Sequence, residues 1–101
     1  MENLEAAFDK ELREKAACAK KECNYNPTRF IQMVSKYGGV ETAHKLLSSS
    51  MSKGNLSEGY STLCLCGRLD LTVEDSVCKS EYRSLFTQQE IEYCMGILGK
   101  R

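Results

Sequence analysis

The stretch LEAAFDKELREKAACAKKEC, residues 4–23, decides the architecture. Its apolar members Leu4, Phe8, Leu12, Ala16, Ala19 and Cys23 recur at steps of three and four, which a helical period gathers on one side of a rod about 30 Å long. Asp9 with Arg13 and Glu11 with Lys15 stand four apart with the acid first, the favourable order for pairs on a wet face. The alanine-rich middle adds high intrinsic helical propensity. A helix with one long apolar stripe has to bury it, so the rest of the chain must supply the covering elements.

Downstream, Asn24-Tyr25-Asn26 breaks the period, and Asn26 before Pro27 reads as an N-cap followed by proline at the first helical position. The second helix is expected to run to about Tyr37, with Phe30, Ile31, Met33, Val34 and Tyr37 inward. Gly38-Gly39 ends it, and a third helix follows with Val40, Ala43, Leu46 and Leu47 inward. The run from Ser48 to Asn55 reads as a flexible loop, because its residues bond their own backbone or lack a side chain. Ser57 caps a short helix bearing Tyr60, Leu63 and Cys64, closed by Gly67. Arg68-Leu69-Asp70-Leu71 is too short to predict a strand, and Arg68 with Asp70 is expected to form a buried or half-buried polar tie. Thr72 opens another helix with Val73 and Val77 inward. Thr87-Gln88-Gln89-Glu90 is a capping box before a last helix carrying Ile91, Cys94, Met95 and Leu98, ended by Gly99. The expectation is an all-α single domain over residues 1–101, a compact bundle of five or six helices with a helix-turn-helix-like hairpin.

Composition agrees with a folded domain: 42% hydrophobic and 28% charged residues exclude both a disordered tail and a membrane protein. Glu2, Glu5 and Asp9 without an apolar run make the start neither signal peptide nor membrane anchor, so the expected location is the cytoplasm. Fourteen basic residues balance fourteen acidic ones, and the two signs are mixed along the chain, which speaks against nucleic-acid binding driven by phosphate neutralisation. The six cysteines, at 18, 23, 64, 66, 78 and 94, are expected as free thiols in a reducing compartment, with Cys23, Cys64 and Cys94 packing as small hydrophobes. One C-x-C, one C-x4-C and a single histidine do not match zinc-ligand spacing, so neither metal nor cofactor is expected.

Catalytic arrangements fare no better. His44 is the sole histidine, no nucleophile elbow or phosphate loop is present, and the carboxylates at Asp70, Glu74 and Asp75 are explained by helix starts. The hairpin has helix-turn-helix spacing, but its reading surface would be Glu41, Thr42 and Lys45, with one cation and an acid nearest the phosphates. The candidate partner-binding residues are instead Arg29, Gln32 and Lys36, a polar stripe on the second helix with no acid four residues away, together with Tyr25 just before it. Arg29 is the expected anchor, since its fork pairs a carboxylate or phosphate at two points. A plain solvated helix face is the alternative.

The run Asn26-Pro27-Thr28-Arg29-Phe30, then Tyr37-Gly38-Gly39-Val40-Glu41 leading into Leu46-Leu47, then Gly67-Arg68-Leu69-Asp70-Leu71-Thr72-Val73-Glu74, and finally Tyr82-Arg83 with Leu85-Phe86-Thr87, resembles a small uncharacterised bacterial all-α domain. The likeness extends over nearly the whole chain. Where Cys64 stands, that pattern carries a large aromatic or aliphatic residue. Such domains occur alone, or beside or fused to restriction-type or other nuclease-related proteins, so the resemblance implies a link to nucleic-acid or phage-defence machinery and defines no activity. The expected function is a non-enzymatic binding or regulatory module whose partner is a protein, such as a nuclease or a nucleoprotein complex. The alternatives are a helix-turn-helix nucleic-acid binder and a small inhibitor of a defence nuclease encoded by a mobile element.

Overall fold

The computed structural model describes residues 3–99, and among them there are six α-helices and no strand. In order these are α1 (Leu4–Glu22), α2 (Thr28–Tyr37), α3 (Gly39–Lys53), α4 (Glu58–Leu65), α5 (Val73–Val77) and α6 (Gln88–Leu98), with 3₁₀ turns at Leu69–Leu71 and Ser80–Leu85. α1 is the wall on which the others are built. Phe8, Leu12, Ala16 and Ala19 are buried along it, as the period requires. Phe8 meets Tyr82 edge-on at 5.1 Å and Phe86 at 5.2 Å, and Ala43, Leu47, Val77, Ile91 and Cys94 close the core around them. Burial of Phe8 alone contributes roughly 2–3 kcal/mol. A smaller cluster forms at the other end of α1 from Ala19, Leu63 and Leu71.

The α2–α3 hairpin is set by one close approach. Gly38 turns the chain at φ 86°, a conformation that favours glycine, and Gly39 then lies directly on α1. A Cβ at Gly39 would sit 2.7 Å from Asp9 Cα. The Gly39 amide donates to Asp9 Oδ2 at 3.0 Å, so a carboxylate from α1 caps α3. The expected reading surface of a helix-turn-helix is thereby altered at its start: Gly39 lies against α1 and Thr42 is fully buried, while Glu41 stays exposed.

Several expectations fail for local physical reasons. The serine tract is no loop: α3 continues through it to Lys53 and ends at Gly54 in the left-handed conformation. Ala43, Leu47, Ser50 and Met51 continue one inward stripe, and tertiary contact outweighs the indifferent propensity of serine. Pro27, not Asn26, is the cap of α2, because its carbonyl accepts from the Ile31 amide at 2.9 Å. The six thiols are not all free. Cys23 and Cys66 are joined, since the ends of α1 and α4 converge over the smaller cluster and bring the two Cα atoms to 6.1 Å, within disulfide reach. Cys18, Cys64 and Cys94 remain free thiols; Cys94 is buried as expected, whereas Cys64 is exposed. Arg68 and Asp70 do form the expected polar tie, two bonds of 3.1 Å, but it lies at the surface rather than in the interior. Arg68 is half-buried and Asp70 is 61% exposed, and the guanidinium clamps Asp70 and Glu22 across the surface.

Two measurements check this architecture. Gly39→Ala forces backbone against backbone and is expected to cost about 1–3 kcal/mol, read from urea unfolding; an unchanged midpoint would mean that α3 does not rest on Asp9. The Cys23–Cys66 bond closes 43 residues of chain, a constraint on the unfolded state worth roughly 4 kcal/mol. Reductant should lower the midpoint of the native chain and leave a Cys23→Ser/Cys66→Ser variant unmoved.

Candidate functional site

The structure separates the residues singled out from the sequence. Arg29, Gln32 and Lys36 are exposed together on the outer side of α2, while Tyr25 is half-buried beside the smaller cluster. Burial, with the Glu58 charge adding to it, pushes the Tyr25 phenol above its usual range. α2 contains no acid, and neither does the whole stretch from Cys23 to Val40. Lys36 Nζ stands 5.2 Å from the Tyr37 ring centre, and Lys45 Nζ reaches the same ring at 4.7 Å, leaving an exposed aromatic between two ammonium groups.

Beside this stripe, α1 and α2 enclose a groove of about 330 Å³. Ala16, Ala17, Pro27 and Ile31 give it an apolar floor, and Arg13, Lys20 and Gln32 stand at its rims. Asp9, one turn before Arg13, is already engaged by Arg13 at 2.5 Å and by the Gly39 amide. No ion pair among the described residues engages Lys20 or Arg29, and no side chain caps the start of α2 at the groove's end. Reading the stripe on α2 alone missed Arg13 and Lys20. Their signal was present in the 13, 17, 20 spacing of α1, a second line of residues beside the core stripe.

A second, partly open cleft of about 50 Å³ lies where α1 faces α4 and the start of α5. Thr72 caps α5, accepting from the Asp75 amide at 3.1 Å while its hydroxyl donates to the Leu69 carbonyl at 2.7 Å, and this fixes Glu74 in the first turn. Glu74 is only 3% exposed and lines the cleft. Burial pushes its carboxyl above the usual range; its own amide, Ser57 and the Lys15 charge offset this only in part. Ser57 Oγ donates to it at 3.4 Å, a long bond. Lys15 is committed elsewhere, donating to the Thr72 carbonyl at 3.0 Å and to Asp75 at 3.3 Å. Burial pulls the Lys15 ammonium down, against the Asp75 and Glu11 charges that hold it up. Glu11 accepts from Ser76 at 2.5 Å and Tyr82 at 3.3 Å and pairs with Lys79 at 3.0 Å. Burial would raise its pKa, but these partners together hold it below the usual carboxylate range.

His44 is remote from both concavities' polar groups: its Nδ1 lies 2.6 Å from Glu90 Oε2, and its ring rests on Phe86 at 5.0 Å. Among the described residues no three of His, Cys, Asp and Glu are placed to hold a metal ion.

Glu74 gives a pH test with a definite sign. Its folded pKa is raised, so the native state keeps the proton over a window where the unfolded chain has already lost it, and stability falls as pH rises through that window. The penalty persists above it. Glu74→Gln removes the penalty, so the variant should melt above the native chain at pH 7 and the gap should close by about pH 4, below the unfolded value. A variant melting lower at pH 7 would make the carboxylate a stabilising group. No protein-family model, curated protein or solved structure matches the chain.

Proposed function

We propose that the chain is a non-catalytic protein-binding module that seats an acidic segment with an aliphatic anchor in the groove between α1 and α2. The observation that carries this reading is the pairing of an apolar floor with cationic rims on a side where α2 has no acid. An anchor side chain fills the floor, one carboxylate pairs with Lys20 at the rim, and Arg29, exposed on α2 outside the groove's lining, takes a carboxylate further along the same segment. The Arg29 fork takes a carboxylate at two points. A phosphate backbone offers nothing for Ala17 or Ile31, and a helix whose first amide is capped by Asp9, with Glu41 exposed in its first turn, is a poor reader of base edges. These two features favour a protein over duplex DNA.

The resemblance to a bacterial domain found beside nuclease-type proteins supports a partner that is a nuclease or a nucleoprotein complex, in the bacterial cytoplasm and in phage defence. Regulation and inhibition of such a nuclease use the same groove and differ in the outcome for the partner.

The test is capture from bacterial lysate on the immobilised native chain, on a Lys20→Glu/Arg29→Glu variant and on Ile31→Glu. Expected is a captured protein that survives nuclease treatment and drops at least tenfold on both variants, with their circular dichroism and melting retained. Capture that disappears on nuclease treatment, or that ignores both variants, overturns the reading.

A further inference from the structure

The cleft beside Glu74 has no part in docking at the α1–α2 groove, and its composition is unusual. Tyr25, Phe30 and Tyr60 line it together with one buried carboxylate and the Lys15 side chain. Tyr60 is held in place by its hydroxyl, which donates to the Ile97 carbonyl at 2.7 Å. A carboxylate that is 3% exposed, with one long side-chain bond, is costly unless something else satisfies it. The neighbouring charges do not. Lys15 faces Glu74 from α1, but its ammonium is shared between Asp75 and Glu11, and Lys79 is spent on Glu11. Among the described residues, the bonds of Lys15 and Lys79 go to Asp75, Glu11 and the Thr72 carbonyl, and Glu74 receives from Lys15 only its charge at a distance.

We propose that this cleft binds a small organic ammonium ion, its head against the Glu74 carboxylate and its few carbons among Tyr25, Phe30 and Leu12. The volume of about 50 Å³ takes an ammonium head and its first one or two carbons, with the rest of an alkyl chain in the open mouth, and excludes a nucleotide or a sugar. Aromatic walls attract a cation through their ring faces, and a buried carboxylate supplies the counter-charge in a site where water screens little. Ser57 Oγ, already an acceptor for the Tyr60 amide at 3.1 Å, stands beside the same carboxylate and adds an oxygen to the site. A metal ion is the poorer occupant, because no second carboxylate joins Glu74 at the cleft. The ammonium group is offered either by a free amine or by a lysine side chain of another protein.

Titration of the native chain followed by amide chemical shifts, with three probes at pH 8, separates these cases. n-Butylammonium should give saturable shifts confined to residues around Ser57–Tyr60 and Thr72–Asp75, and n-butanol, alike in size and uncharged, should bind at least tenfold more weakly. Nα-acetyl-lysine methylamide is the third probe: shifts at the same amides assign the site to a lysine side chain, and their absence assigns it to free amines. Glu74→Gln should lower butylammonium affinity at least tenfold while its spectrum stays folded. Equal binding of butanol and butylammonium, no saturable shift with either amine, or undiminished affinity in a folded Glu74→Gln chain overturns the proposal.

Discussion

A single helix with an uneven apolar stripe governs this fold. Phe8 and Leu12 occupy the first half of the buried side of α1, and Ala16 and Ala19 the second. Large side chains fill space, so at the Phe8 end the rings of Tyr82 and Phe86 interlock with α1 into a continuous core. Alanine fills little. At the other end α2, α4 and the start of α5 approach α1 without filling the volume between them, and a concavity is left on either flank. Ala16 and Ala17 floor one, and Ala16 with Ala19 floor the other. The same taper that concentrates stability at one end of the helix thus creates both candidate sites at the other.

The polar groups follow this division. On the side of α5, Glu11 and Lys15 are drawn into a network with Ser76, Asp75, Lys79 and Tyr82, where each buried charge has a partner and the network ties α1 to the C-terminal half. Glu74, one residue from Asp75, is left out of that exchange and is buried in a cleft instead. Its pKa is pushed in the opposite direction from that of Glu11, though both are glutamates of the same molecule. The difference lies in partners: Glu11 has several strong donors and an ion pair, Glu74 only its own amide and one long bond from Ser57. Strain of this kind is expected at positions kept for a ligand, where stability and binding compete.

The sequence made the helices legible wherever the signal was local. Ser57, Thr72 and Thr87 each cap the helix they precede, and the Thr87–Glu90 capping box forms in full. Gly54 was read as loop although it is a helix end, because serine propensity says nothing about whether Ser50 faces a core. Features set by distant approach could not be read at all. The convergence of Cys23 and Cys66 depends on where α4 lands, and the burial of Glu74 depends on Tyr60 and Leu12, far away in the chain. Of the site residues, Arg29, Gln32 and Lys36 were visible as a polar stripe; that Tyr25 lies half-buried beside the smaller cluster could not be read, because residues in a connector have no period to fix their direction.

Net charge was the least informative property. A sum of zero over 101 residues describes a molecule with no long-range field, yet folding sorts the charges. The acid-free stretch from Cys23 to Val40 includes the whole of α2, so the exposed side of that helix carries no acid, and Arg13 and Lys20 line the groove beside it from α1 because three and four residues make a helical turn. Asp9, the acid nearest that face, has its carboxylate engaged by Arg13 and by the first amide of α3. The fixed hairpin and the positive groove are therefore consequences of one contact. With Asp9 committed to Gly39, the first amide of α3 is capped from α1, and the hairpin is held at the point where Gly39 and Thr42 are buried.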